Sequence, residues 1–323
     1  MKPFKSLLMI GLSAALTMFS AVSAADNSYP KKTITFICTH ERHSDLDVNT
    51  RLLAKYLSAS LETKVDVINA VGANGVRAME LFKDEIPDGY TLLSTRAQAL
   101  MSNHYFGDTT LSYKDFAPIA IYGQTCGDHV VVSESSPYTT FEELIDAAKE
   151  NPDEISITVA MNGQSYLAAK LFETRMGAKF AIVDAGSNDL GRLEPVLNGQ
   201  VDATIVPYAT VRPYLKARNA LSLANLDYSR LNEAPDVPNV TEFKDARDIF
   251  LSDYFILLAP KNTPKDVIDL LSTEINDLVL SDLDYLEDVK RVNYKFPYAL
   301  DTKATVKRLQ TMDEQFSNFR KEF

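Results

Sequence analysis

Residues 32–57, KTITFICTHERHSDLDVNTRLLAKYL, decide how the rest of the chain is read. Lys32 to Cys38 alternates and is rich in β-branched residues, as a strand should be. From Asp47 onward Val48, Leu52, Leu53, Tyr56 and Leu57 fall on one helical stripe. Between strand and helix lies a dense polar loop holding His40, Glu41, Arg42, His43, Ser44 and Asp45. Such a loop could be a metal site, a catalytic site or the lip of a binding cleft.

Working outward, the same alternation recurs. Lys64 to Ile68 reads as a second strand, followed by a loop through Gly72 and Gly75, a helix through Leu81 and Phe82, and a Pro87-Asp88-Gly89 turn before the strand Tyr90 to Ser94. Ile119 to Tyr122, His129 to Ser133, Ile155 to Ala160, Phe180 to Val183 and Ala203 to Val206 are further strands. Helices are expected from Thr140, with a Thr140-Phe-Glu-Glu143 capping box, from Tyr166 to Met176 and from Gly191 to Leu197. Asn225 to Asp253, with Pro235 and Pro238, reads as a long irregular connection. Tyr254 to Leu258 is then a buried strand, and helices at Pro264 to Val279 and Lys303 to Phe323 fill most of the C-terminus. Strands and helices in turn imply mostly parallel sheets covered on both faces.

The first 24 residues carry Lys2 and Lys5, an apolar run from Leu7 to Phe19, and small residues up to Ala24. That is the spelling of a cleaved secretory signal, so the chain is expected to be exported to the periplasm. No later segment approaches about 18 uninterrupted apolar residues. About 300 residues remain after cleavage, long for one core and comfortable for two lobes. The formal charge of −11 argues against nucleic acid or anionic membrane surfaces as partners. Cys38 and Cys126 are the only cysteines, and the sequence leaves open whether they pair.

Several signatures then line up in order: Tyr29-Pro30 at the mature start, Asp47 with Arg51, Asn69 with Gly72-Ala-Asn-Gly75, Pro87-Asp88-Gly89-Tyr90-Thr91-Leu92, and Lys114-Asp115-Phe116-Ala117-Pro118-Ile119. Asn198-Gly199-Gln200-Val201-Asp202, Asp236-Val237-Pro238-Asn239-Val240 and Leu257 to Pro264 complete the series. The chain resembles the substrate-binding proteins of tripartite tricarboxylate transporters, the Bug family, over nearly its whole mature length. The resemblance implies an α/β, two-lobed periplasmic binding protein (a type II Venus flytrap), each lobe a mostly parallel sheet flanked by helices. It implies lobe one at 25–123 plus 255–323, lobe two at 124–254, and a small organic molecule, a carboxylate before an amino or neutral compound, held between them. The implied partners are that ligand and an inner-membrane permease, or a sensor kinase, with a monomeric chain, no cofactor and no reaction.

Family members carry a proline and glycines between the first strand and helix, where helix N–H groups grip a ligand carboxylate. Here Arg42-His43-Ser44-Asp45-Leu46 stands instead. Ser44 and Asp47 have the spacing of a capping box. If they cap their own helix they occupy those donors, and Asp45 and Asp47 oppose an anion, while Arg42 and His43 favour one. The charge of the ligand is therefore open.

The alternative function is a secreted metal-binding protein or hydrolase using the His40 to Asp47 patch. It lacks the helical His-Glu-x-x-His of metalloproteases and any Gly-x-Ser-x-Gly. Further cleft candidates lie at strand ends: Arg96 and Gln98 after the third strand, and Asp184 and Ser187 after Phe180 to Val183. Asn162, Gln164 and Ser165 look like the family's lobe-two ligand loop, and Tyr208 stands where it could close the pocket.

Overall fold

The computed structural model describes residues 29–107, 109–227, 229–247, 249, 251–293 and 297–322; the signal-like segment 1–24 lies outside them. The first sheet is entered through β1 (Ile34–Cys38), α1 (Asp45–Ser60), β2 (Val65–Asn69), α2 (Val76–Phe82), β3 (Thr91–Arg96), α3 (Ala97–Phe106) and β4 (Phe116–Gln124). The chain crosses to a second sheet with β5 (Asp128–Ser133), α4 (Phe141–Glu150), β6 (Ser156–Val159), α5 (Gln164–Met176), β7 (Ala181–Asp184), α6 (Asp189–Leu197), β8 (Ala203–Pro207), α7 (Tyr208–Lys216) and β9 (Ala220–Asn225). It returns through β10 (Tyr254–Pro260) and ends in α8 (Lys265–Ser281), α9 (Leu283–Asn293) and α10 (Thr302–Glu322).

The sheets run β2-β1-β3-β10-β4 and β7-β6-β8-β5-β9, so the two halves repeat one strand order. In each, four strands point one way. The exception is the first strand laid down after a crossing, β10 in one and β5 in the other, which is antiparallel to both neighbours. In each sheet the strand next to one edge is thus the one that enters directly from a crossing. The two crossings lie side by side, and the Thr125 N–H donates to the Asp253 carbonyl at 3.0 Å.

Apolar burial explains why the halves hold together along one side. Leu93, Ile121 and Ile256 of the first sheet share a continuous core with Val130 and Ile157 of the second and with Leu167 and Phe172 of α5, joined by Met312, Phe316 and Phe319 of α10. A separate core under the other face of the first sheet packs Leu53 of α1, Ile275 of α8 and Tyr285 of α9 with Phe36 of β1. Arg175 of α5 fastens α10 from outside, its Nη2 2.9 Å from Glu322 Oε1.

Four elements were not spelled by the periodicity. β9 reads Ala-Leu-Ser-Leu-Ala-Asn, weak in β-branched residues, and is a strand because β5 pairs with it. α7 carries Pro213 inside it, which masks a helical pattern. α3 shows no stripe because Ala97 through Asn103 are all buried, and α9 follows α8 with only Asp282 between. Among the described residues, the connection after β9 is irregular apart from short 3-10 turns at Val240–Glu242 and Lys244–Ala246. Cys38 and Cys126 are not joined: Cys38 belongs to the core under α1, and Cys126 packs with Tyr208 and Leu231.

Gly127 makes the first crossing geometrically possible. Its φ is +84°, and a Cβ there would sit 2.9 Å from Asn225 Oδ1 and 3.1 Å from Asp227 Cβ. Gly127→Ala is expected to lower stability by about 2 kcal/mol, read by urea denaturation; a change below about 0.5 kcal/mol would show that the crossing tolerates a side chain.

Candidate functional site

The polar loop after β1 is organised by its own helix. Ser44 is the N-cap of α1, its Oγ accepting from the Asp47 N–H at 3.2 Å, and Asp47 reaches back to the His43 N–H at 2.9 Å. The Leu46 N–H donates to Asp45 Oδ1 at 2.6 Å. The donors at the start of α1 therefore already have internal acceptors, and a ligand anion gains little there. Asp47 is 1 % exposed, and its oxygens also take Arg51 Nη2 at 2.9 Å and Asn69 Nδ2 at 2.7 Å. Burial alone would raise its carboxyl, but the hydrogen bonds from Arg51, Asn69 and His43 outweigh that and hold it below its usual value. Asp47 locks the loop; it does not reach outward.

Across the gap, the turn before α5 is built on Gly163 and on Asn162, whose φ is +60°. Ser165 Oγ accepts from the Ala160 N–H at 2.9 Å, and Asp184 Oδ1 accepts from the Met161 and Gly186 N–H groups at 3.2 and 3.1 Å. These bonds set two lobe-two loops against lobe one. Asn188, the N-cap of α6, donates through Nδ2 to Glu41 Oε2 at 2.6 Å, so the loops touch across the mouth. Between them lies a cavity of about 420 Å³, lined from one side by Asn74, Asn103 and Gly107 and from the other by Met161, Asn162 and Ser187. No Lys or Arg side chain is among its lining residues. α5 begins directly after the lining residues Met161 and Asn162, and its N-terminus has no side-chain cap, which leaves its first N–H groups without a side-chain acceptor.

Next to the cavity the two halves bring charges together out of water. Asp45 of α1 pairs with Arg96 at the end of β3, and Asp189 of α6 pairs with Arg192 at 2.6 Å. Arg192 Nη1 also donates to the carbonyl of Gly186, which lines the cavity, at 3.0 Å. Asp128 opens β5 and Asp253 immediately precedes β10; they are 2 % and 1 % exposed. Burial would lower the Arg96 guanidinium, but Asp45, Asp189, Asp253 and Asp128 around it push it above its ordinary value. Burial raises the Asp128 carboxyl to about 7 and the Asp253 carboxyl to about 6, Arg96 opposing both shifts. Burial, then Arg96, lowers His40 to about 3, so that imidazole is neutral above pH 4.

The candidates fall into groups. Asn162, Asp184 and Ser187 line the cavity. Asp45 and Arg96 form the buried pair beside it, and Gln98 and Gln164 approach from either half, Gln98 N–H to Asp253 Oδ1 at 2.9 Å and Gln164 Nε2 to the Leu251 carbonyl at 2.5 Å. Ser44, Asp47 and Ser165 hold the loops. Arg42 and His43 are exposed on the loop surface. Tyr208 packs on the His129 ring, centroids 5.1 Å apart, in a small cluster with Cys126 and Leu231. The His40 ring is buried against Thr39 Oγ1 at 2.9 Å, whereas His43 points into solvent. Among the described residues no group of three or more His, Cys, Asp or Glu is placed to hold a metal ion.

Sequence reasoning missed Asn74 and Asn103, and it missed Asp128, Asp189, Arg192 and Asp253. The available signal was position: Asp128 and Asp253 flank the two crossings, and Asp189-x-x-Arg192 opens a helix behind a candidate loop.

Two α/β halves of identical strand order, joined by a double crossing and enclosing a polar cavity, define a solute-binding receptor of the two-lobed Venus flytrap class. The tripartite tricarboxylate transporter family receptor model matches residues 49–310, and the chain belongs to that family. It is 29 % identical to the protein BugT of Bordetella pertussis, over 85 % of this chain and 84 % of that one. It is 25 % identical to the UPF0065 protein in the tcbD-tcbE intergenic region of Pseudomonas sp. strain P51, over 89 % of this chain and 85 % of that one. Among solved structures, the R. palustris protein Rpa4515 with adipate superposes with a TM-score of 0.81 at 20 % identity, over 91 % of this chain and 98 % of that one. MatC of Rhodopseudomonas palustris with bound malate gives 0.79 at 18 % identity, over 90 % and 100 %.

Proposed function

We propose that this receptor works in the periplasm, exported by cleavage of residues 1–24, where it captures a small organic acid in the cavity between its halves and delivers it to an inner-membrane permease. It acts as a monomer and alters no bond in its solute. The working lobes are 25–123 with 255–323, and 124–254, moving about the paired crossings near 124 and 254 while the shared core along α10 keeps one side together. The observation that carries this reading is the 420 Å³ cavity walled by both halves, with uncapped helix N–H groups beside it and no permanent cation in its lining. A carboxylate held there is bound by backbone dipoles, and the ligands seen in the similar proteins solved with adipate and malate fit that chemistry.

The test is a thermal-shift screen of small organic acids and amino acids followed by calorimetry. A true ligand raises the melting temperature in proportion to ln(1 + [L]/Kd) and is recovered unchanged. Ser187→Trp, which fills the cavity from lobe two, is expected to weaken binding by at least about 100-fold, roughly 2.7 kcal/mol. Unchanged affinity in that variant, or conversion of the ligand, would overturn the assignment.

A further inference from the structure

The buried cluster beside the cavity has an excess of acceptors. Asp45 is matched by Arg96 and Asp189 by Arg192; Asp128 and Asp253 have no cation of their own. His40, in the loop before α1, is neutral and brings no charge. Five buried oxygens from both halves have no hydrogen-bond donor: Asp45 Oδ2, Gln98 Oε1, Asp128 Oδ1, Gln164 Oε1 and Asp253 Oδ2. The side chains of Gln98, Gln164, Asp128 and Asp253 are at least nine-tenths buried, where an unpaired acceptor destabilises the fold. Only Arg96 Nε and Arg192 Nε are donors in the same condition there.

These oxygens belong to one neighbourhood. Asp45, Asp128 and Asp253 all act on the Arg96 guanidinium, and Gln98 holds Asp253 through its N–H. Gln164 is the first residue of α5, and its amide ties that helix start to the Leu251 carbonyl, two residues before Asp253. It therefore links the anion-receiving helix start to the acidic cluster.

We propose that the site selects a solute bearing an ammonium group as well as a carboxylate: the ammonium docks among the Asp128, Asp253, Gln98 and Gln164 oxygens, and the carboxylate lies toward the start of α5. A primary ammonium brings three N–H donors and one positive charge, the two things the cluster lacks. This rests on the organic-acid receptor reading and narrows it to amino-carboxylates. Binding is coupled to protons. Near neutrality Asp128 is partly protonated in the unliganded protein, and Asp253 joins it toward pH 6, for the reasons of burial given above; an arriving cation displaces those protons. Asp45, Asp189, Arg96 and Arg192 face the same space and are matched as two ion pairs.

The experiment is calorimetry on the full mature chain with matched series: succinate, 4-aminobutyrate and L-aspartate; glutarate, 5-aminopentanoate and L-glutamate; adipate and 6-aminohexanoate. An amino-carboxylate is expected to bind at least about tenfold more tightly than the diacid of equal chain length. Its heat should vary with buffer ionisation enthalpy at pH 7, reporting proton release. Asp253→Asn, which keeps the acceptor for the Gln98 N–H, should cost at least tenfold in affinity and abolish part of that release, and Asp128→Asn should do the same independently. Diacids binding as tightly as their amino partners, or both variants binding like the parent, overturn the inference while the receptor reading stands. Failure of every compound in all three series overturns both.

Discussion

Arg96→Met should cost about 4 kcal/mol of folding stability at pH 7.5 and visibly less at pH 5. The guanidinium sits where β3 runs into α3, with Asp45 paired to it and Asp128, Asp189 and Asp253 around it. Met keeps the apolar stem but ends near the position of Nε, so the loss is chiefly electrostatic: a buried pair is broken and Asp45, whose side chain is 8 % exposed, loses its partner. Breaking such a pair costs about 3–5 kcal/mol. Part of the repulsion relaxes by protonation, because Asp128 and Asp253 already stand at about 7 and 6 and rise further without the cation. At pH 5 both are neutral in either protein, and only the Asp45 term is left. Arg96→Lys should recover some of the loss, since a point charge lacks the guanidinium fork. Urea denaturation at the two pH values decides it; a penalty under about 1 kcal/mol at pH 7.5, or one equal at both pH values, would mean Arg96 is not the charge that organises the cluster.

What the sequence disclosed and what it hid have physical causes. β1, α1 and the Ser44 cap were legible because each is set by neighbours within a few residues: alternation, an apolar stripe and a hydroxyl three residues ahead of an acid. The same local chemistry foretold that the start of α1 would satisfy itself. β9 and α3 were hidden because their stability comes from what surrounds them: β5 pairs with one, and the other is enclosed on all sides. The site follows the same division. Asn162, Asp184 and Ser187 could be placed because they follow strands of a parallel half-sheet, where loops converge. Tyr208 also follows a strand, but its ring is taken by His129 and the small cluster around Cys126. Asp128 and Asp253 stand 125 positions apart in the chain, and they become one chemical unit only because the two crossings lie side by side. No window along the sequence contains that fact.

Asp128→Asn is expected to make the unliganded protein more stable by about 2 kcal/mol at pH 8 and less stable by about 1–2 kcal/mol near pH 4. The folded carboxyl titrates near 7, raised mainly by burial, against about 4 in an unfolded chain. Between those values the native state holds a proton that the unfolded state has released, so stability declines as pH rises, by about 1.4 kcal/mol per unit for one group. The contribution is complete below about pH 4 and spent above about 7. Asparagine removes that slope, at the cost of an imperfectly bonded buried amide of about 1–2 kcal/mol, and the difference is the expected gain. Asp253 retains its own slope up to about 6, so the variant's profile should flatten chiefly between pH 6 and 7.5. Loss of stability at pH 8 would mean that attraction to Arg96 exceeds the cost of burial and would sink this account. A gain, combined with weakened binding of an ammonium-bearing solute by the same variant, would identify Asp128 as a group held at a cost to folding because the solute needs it.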